Sequence, residues 1–199
     1  DKCFLKTNDP IELFKTWMNK AKETEPNDPN ALSLATSDSN GLPSVRIVLL
    51  KDYNKNGFVF YTNLNSQKSL SIKENPKGEM CFYWKSLLRQ VRIGGSITQV
   101  SDKEADNYYN TRPYESKIGA WASKQSQFLK SRQDLISLIN ENKKKYSEEK
   151  KVPRPNHWSG WRLLPTEIEF WLSADDRIHE RLKYSKKSNG KWDKFLLNP

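Results

Sequence analysis

Apolar positions recur first at helical spacing and then at strand spacing, and that change of period outlines the fold. Ile11, Phe14, Trp17 and Met18 fall on one helical face. Asp9 stands where a cap belongs, Pro10 at the first helical position, and Glu12 completes a capping-box spacing. The run Glu25-Pro-Asn-Asp-Pro-Asn30 ends that helix, after which the period drops to two. Strands are predicted over Ala31 to Thr36, Val45 to Lys51 and Phe58 to Thr62, with turns at Asn40-Gly41 and Asn54 to Gly57. Ser66 to Lys73 reads as a short helix closed by Asn75-Pro76, and Met80 to Trp84 and Gln90 to Val100 as further strands. Ser101-Asp-Lys-Glu104 is a second capping box, opening a helix to about Asn110. Leu135, Ile136, Leu138 and Ile139 mark an amphipathic helix, and Val152-Pro-Arg-Pro155 a stiff connector. Trp161 to Leu164 with Ile168 to Trp171, Ile178 to Tyr184, and Trp192 to Leu196 supply the last strands, with Ser188-Asn-Gly190 as the final turn. Strands joined by short turns, without regular crossover helices, predict a mostly β (α+β) fold. Its core is an antiparallel sheet or barrel with peripheral helices, in one domain over 1–199.

Composition narrows the classes. Hydrophobic residues make up 35% and aromatics 12%, enough for a core, yet the richest run, Val45 to Leu50, is strand-sized, so no membrane span is expected. Lys plus Arg number 34 against 24 Asp plus Glu, a net charge of +10. Much of the excess lies in Lys143, Lys144, Lys145, Lys150 and Lys151, mixed with Glu141, Glu148 and Glu149. That run reads as a solvated helix end and linker rather than a nucleic-acid patch. Cys3 and Cys81 are far apart and form no CxxC pair, which suits a reducing, cytoplasmic setting. The chain opens on Asp1, which leaves room for an upstream targeting segment. His157 and His179 are the only histidines, so redox chemistry would need an organic cofactor rather than a multi-histidine metal centre.

Four constellations carry candidate chemistry. Arg46 and Lys51 bracket a buried strand five positions apart, which predicts opposite faces. They are either strand-end residues reaching for water or cations set to meet anionic oxygens. Tyr61-Thr-Asn-Leu-Asn-Ser-Gln-Lys68 runs from a strand into a helix start, where free N–H groups suit phosphate. Tyr108, Arg112 and Ser116 are spaced by four, but Pro113 interrupts the helix, so a folded-back loop would be needed to gather them. The alternative is a helix end with an exposed arginine. Finally, Arg177, His179 and Arg181 alternate, which on a strand places three cationic or titratable groups on one face. An anion lying over them explains such an array better than a solvated edge. The residues alone stop at a barrel with phosphate-competent sites.

Arg46 to Lys51, Tyr61-Thr62-Asn63, Phe82-Tyr83-Trp84, Arg89-Gln-Val-Arg92, Arg112-Pro113, Ser116, Ile118-Gly119, Gln125-Ser126, Glu169-Phe170-Trp171 and Arg177-Ile-His179-Glu-Arg181 occur in the order found in pyridoxine 5'-phosphate oxidases. The chain resembles that family from about Asp9 to Pro199. The resemblance implies an FMN-binding split β-barrel that forms a homodimer, with two equivalent active sites at the subunit interface. It implies FMN contacts from Arg46, Ile47, Val48, Leu49, Lys51, Tyr61, Thr62, Gln67, Lys68 and Gln90, completed by Gln125, Ser126, Trp171 and Arg181 of the other subunit. Lys51, Tyr108, Arg112 and Ser116 would grip the substrate phosphate. Arg177 and His179 would act over the substrate ring, with Ile178 beside them. The implied reaction oxidises pyridoxine or pyridoxamine 5'-phosphate to pyridoxal 5'-phosphate, with dioxygen reduced to hydrogen peroxide. A related flavin reductase, a phenazine-pathway oxidase and a basic nucleic-acid-binding module are the alternatives. The chain departs from the family pattern at Gln67, usually Arg, at Glu180, usually Asp, at the Leu196-Leu-Asn-Pro199 ending, and in a short N-terminal lid segment.

Overall fold

The computed structural model describes residues 4–148 and 151–199, so Cys3, Glu149 and Lys150 lie outside the described residues. Nine strands form one antiparallel sheet: β1 (Ala31–Ser37), β2 (Pro43–Leu49), β3 (Asp52–Asn54), β4 (Gly57–Asn63), β5 (Lys77–Trp84), β6 (Arg89–Gln99), β7 (Trp158–Leu172), β8 (Glu180–Lys186) and β9 (Trp192–Leu197). The sheet runs β2-β1-β5-β6-β7-β4-β3, with β8 on β7 and β9 on β8. β7 is long enough to serve two neighbourhoods. Its first half pairs with β4 and its second half with β8, while β6 follows it along both. The predicted strands around Pro165 are therefore one, because a bulge at Gly94/Gly95 lets β6 accommodate the proline without breaking the ladder.

Among the described residues five α-helices surround this split barrel: α1 (Pro10–Thr24), α2 (Gln67–Glu74), α3 (Asp102–Asn110), α4 (Tyr114–Ala122) and α5 (Arg132–Lys145). α1 starts as its sequence predicts, with Ile11 N donating to the Asp9 side chain at 2.8 Å. It closes the barrel by inserting Phe14 edge-on against Tyr53, Phe58 and Phe82, while Trp17 meets Phe170. Phe14, Trp17 and Met18 are almost fully buried, each contributing roughly 1.5–3 kcal/mol. Along β1, β5, β6 and β7 the inward positions, among them Leu34, Met80, Ile93 and Ile168, form the core. The lysine run is a solvated helix end where it is described, with Lys143, Lys144 and Lys145 in the last turn of α5. No helix among the described residues is long and apolar enough to cross a membrane.

Helix α3 stops before Pro113, as its sequence predicts, and the residues after it form a further helix, α4, with Pro113 as its N-terminal flank. Farther along, a prediction of local structure fails. The predicted strand from Ile178 begins only at Glu180. Asp175–Arg177 instead make a 3-10 turn in which Asp176 and Arg177 have φ of 54° and 61°. Consecutive left-handed residues cannot continue a strand, so Arg177 and His179 do not alternate with Arg181 on a shared strand face. Both lie in the β7–β8 connection.

Candidate active site

A cleft of about 440 Å³ opens where β2, β4, α2 and the α3–α4 corner meet. Ile47, Val48 and Leu49 of β2 form one wall, with Lys51 just beyond them. β2 ends at Leu49, so strand parity does not govern Lys51, which turns into the same cleft as Lys68 and Arg112. Tyr61, Thr62, Tyr108, Thr111, Ser116 and Gln125 complete the polar lining, and none of the lining residues is a carboxylate. The folded-back arrangement needed for Tyr108, Arg112 and Ser116 is present, the three coming from α3, the connector and α4. A larger cavity, about 550 Å³, lies elsewhere on the sheet under Gly78 and Gly94, but Glu79 and Glu167 line it and disfavour an anion there.

The corner carrying Arg112 is clamped to the barrel. Arg154 donates to Asp106 at 2.6 Å, to Asp102 at 2.8 Å and to the Trp158 carbonyl at 2.8 Å. Arg162 pairs with Glu104, which lies between those two aspartates on α3. The Arg112 guanidinium then lies over the Trp158 ring, 4.7 Å from its centroid, and its Nη1 is buried with no partner among the described residues. Burial pushes its pKa down, against smaller opposing effects of Tyr108 and Tyr109. An unsatisfied buried donor costs on the order of 1–3 kcal/mol, a cost that a ligand oxygen would remove. Trp158 escaped the sequence reading, and its place at the start of β7 after a proline-rich connector was the available signal. Tyr61 stacks on Tyr108 with centroids 4.0 Å apart. It lies against Gly160, where a Cβ would come 2.7 Å from the ring. Burial, with Glu104 next in effect, pushes the Tyr61 hydroxyl up to about 12, so it stays protonated at neutral pH.

Lys68 is the most buried of the three cations in the cleft. Its Nζ donates at 3.1 Å to Thr62 Oγ1, Ser66 Oγ and Gln125 Oε1. Desolvation, followed by repulsion from Arg46, lowers its pKa to about 8. Arg46 does not line the cleft. It donates to the Leu34 carbonyl, Thr36 and Ser44, none of which neutralises it. Ser66 flanks α2 without capping it, its hydroxyl being engaged with Lys68 and Ser69. Gln67 is exposed on the first turn of α2. Gln125 belongs with Lys68 and Thr62 of its own chain, contrary to its expected approach from the partner. Ser126, at φ 68°, faces a neighbouring pocket instead.

A second set of predicted residues gathers elsewhere. Gln90 pairs with Trp171 in register, and Trp171 with Arg181. The His179 ring sits 4.7 Å from Trp171, and its Nδ1 accepts from Ala174 N at 3.3 Å. Gln90 therefore groups with Trp171 and Arg181, not with Lys68. Gly160, the register partner of Tyr61, and Trp171 are both on β7, and at about 3.3 Å per residue the strand carries them roughly 35 Å apart. One chain does not bring the two sets to one small molecule.

Fold and cleft together define a split-barrel protein with a cationic pocket at the mouth of the barrel. The family model described as pyridoxamine 5'-phosphate oxidase matches residues 18–141, and that described as the pyridoxine 5'-phosphate oxidase C-terminal dimerisation region matches residues 158–199. The chain belongs to the pyridoxamine 5'-phosphate oxidase family. It is 65% identical over 199 residues to a pyridoxine/pyridoxamine 5'-phosphate oxidase of Pelagibacter ubique, covering 100% of this chain and 96% of the relative. It is 51% identical over 197 residues to the protein of that name in Allorhizobium ampelinum, covering 98% and 95%. Among solved structures it is similar to PhzG from Burkholderia lata in complex with tetrahydrophenazine-1-carboxylic acid, with TM-score 0.91 and 30% identity over 97% of this chain and 94% of that one.

Proposed function

We propose that the chain is one catalytic domain of a homodimeric, FMN-dependent oxidase that converts pyridoxine and pyridoxamine 5'-phosphates to pyridoxal 5'-phosphate. The observation that carries this reading is the cleft itself, where Lys51, Lys68 and Arg112 converge without a carboxylate. The two-set geometry adds the dimer: Gln90, Trp171, Arg177, His179 and Arg181 of one chain would complete the cleft of its partner. The family description of residues 158–199 as a dimerisation region supports this arrangement.

The donor set fits two phosphates. Lys68, with Thr62, Gln125 and nearby Arg46, would hold the FMN phosphate beside the start of α2. Lys51, Tyr108, Arg112 and Ser116 would hold the substrate phosphate, Arg112 supplying its unsatisfied Nη1. FMN held there would supply the two-electron oxidation of the substrate at C4', with dioxygen as the final acceptor and hydrogen peroxide as its product. The protein's contribution is placement. Phosphate clamps fix one end of the substrate, and Arg177 with His179 of the partner would cover its ring and exclude water. With the amine substrate, water would then hydrolyse the imine product to the aldehyde, releasing ammonia. The similarity to PhzG raises a phenazine-type substrate, but the four residues around the second phosphate position favour a phosphorylated one. Purification as a yellow protein that turns over both phosphorylated vitamers would support the assignment. A colourless protein that does not bind added FMN would overturn it.

Lys68 gives the cofactor site a pH signature. Phosphate prefers the protonated ammonium, so FMN affinity should hold steady from neutral pH to about 8 and fall above it. Folding has the opposite sign. Between about 8 and the ordinary lysine value of 10.5 the unfolded chain binds more protons, so this group makes the apo protein more stable as pH rises. FMN titrations and apo-protein melts at pH 7, 8 and 9 check both directions. Gln67 adds a second expectation. Gln67→Arg should tighten FMN binding by roughly three- to tenfold, a charge-assisted contact discounted for solvent exposure. An unchanged dissociation constant would show that Arg46 and Lys68 already suffice.

A further inference from the structure

We infer that Glu169 is a positioning residue for the flavin half-site, holding the Arg181 guanidinium in place from the middle of a chain of alternating charges. The inference rests on the reading above that Arg181 meets FMN. Glu169 projects from β7, its side chain 9% exposed. Its Oε1 accepts from Arg181 Nε at 2.8 Å, and its Oε2 lies 3.6 Å from Arg92 Nη1. Arg92 is held in turn by Glu79, which accepts from its Nε at 2.6 Å. The charges therefore alternate across β5, β6, β7 and β8 as Glu79, Arg92, Glu169 and Arg181. Lys183, directly across from Glu169 in register, turns instead to Glu167 at 2.7 Å, leaving Glu169 to the two arginines.

Glu169 is nearly buried and its two oxygens are divided between the arginines, a direct hydrogen bond from Arg181 and a looser ion pair with Arg92. Arg181 spends Nε on Glu169 and Nη1 on the Asn198 carbonyl at 3.0 Å, while Nη2 makes no hydrogen bond among the described residues. Two fixed edges orient the third toward a ligand, and a planar guanidinium rewards such preorganisation. The Arg89-Gln-Val-Arg92 and Glu169-Phe-Trp171 motifs thereby gain a shared purpose: Gln90 and Trp171 face the cofactor, and Arg92 and Glu169 brace the third member, Arg181.

The test is a set of FMN titrations of the apo protein followed by flavin fluorescence, with dimer size and melting temperature measured alongside. Glu169→Gln keeps the shape and loses the charge, and should weaken FMN binding by roughly three- to thirtyfold. Combined with Arg181→Ala it should weaken binding no further than Arg181→Ala alone. Combined with Lys68→Met, in the other half-site, its effect should multiply. Glu79→Gln, acting through Arg92, should give a smaller shift in the same direction, and decides the question if Glu169→Gln does not fold. If Arg181→Ala weakens binding while Glu169→Gln does not, or if their effects multiply, the positioning role is overturned. If Arg181→Ala itself leaves FMN binding unchanged, it is the assignment of Arg181 to the flavin that fails.

Discussion

Arg112→Ala should raise the KM for either phosphorylated substrate by roughly 30- to 1000-fold, from the loss of charge-assisted bonds worth about 2–4 kcal/mol. Its folding stability should barely change, because Nη1 is buried without a partner and removing it relieves a desolvation cost. That pairing of results separates a ligand-binding arginine from a structural one. A structural Arg112 stacked on Trp158 would instead lower the melting temperature and leave KM alone. FMN content should stay normal, since the flavin phosphate is assigned to Lys68 and its neighbours. Steady-state kinetics and a thermal melt of the same preparation decide between the two.

Arg177→Ala should lose kcat/KM by roughly tenfold to a thousandfold, equivalent to about 1.4–4 kcal/mol of transition-state stabilisation, while still folding, dimerising and binding FMN. The guanidinium makes no hydrogen bond or ion pair among the described residues, yet its backbone is held at φ 61°. A left-handed non-glycine residue costs roughly 1–2 kcal/mol, and such strain clusters where function repays it. Arg177→Gly therefore sharpens the test: it should raise the melting temperature and lose the same activity. His179→Ala should lose less, because an imidazole offers fewer directed donors than a guanidinium. Near-normal turnover by a soluble, FMN-loaded Arg177→Ala dimer would remove the turn from the substrate site.

These two arginines also mark how far the sequence could be read. Helix α1 and strands β1, β5 and β6 were legible because one-sided burial imposes a period on them, as in the alternation of Leu32, Leu34 and Thr36, and β4, buried on both faces, as a short apolar run between turns. The clustering of Tyr108, Arg112 and Ser116 was legible only as a possibility. It depends on α4 starting again after Pro113 and on Arg154 pinning α3 to β7, neither of which is a local pattern. The alternation of Arg177, His179 and Arg181 suggested a strand, but Asp175-Asp176 takes a turn there and left-handed geometry overrides the period. The grouping of Gln90 with Trp171, and of Gln125 with Lys68, follows from register between strands and from a loop hydrogen bond. Both are long-range facts with no trace in spacing.

The central claim, that each active site draws on two chains, has a direct test in subunit mixing. Arg112→Ala and Arg177→Ala homodimers, each impaired when assayed at substrate concentrations below the wild-type KM, would be mixed in equal amounts, dissociated and allowed to re-pair. In a shared-site dimer each hybrid carries both lesions in one site and none in the other. Random pairing in a two-fold dimer should then restore about a quarter of the wild-type activity. If each site were built within a single chain, every site would keep one lesion, and a re-paired mixture no more active than its parents would contradict the account.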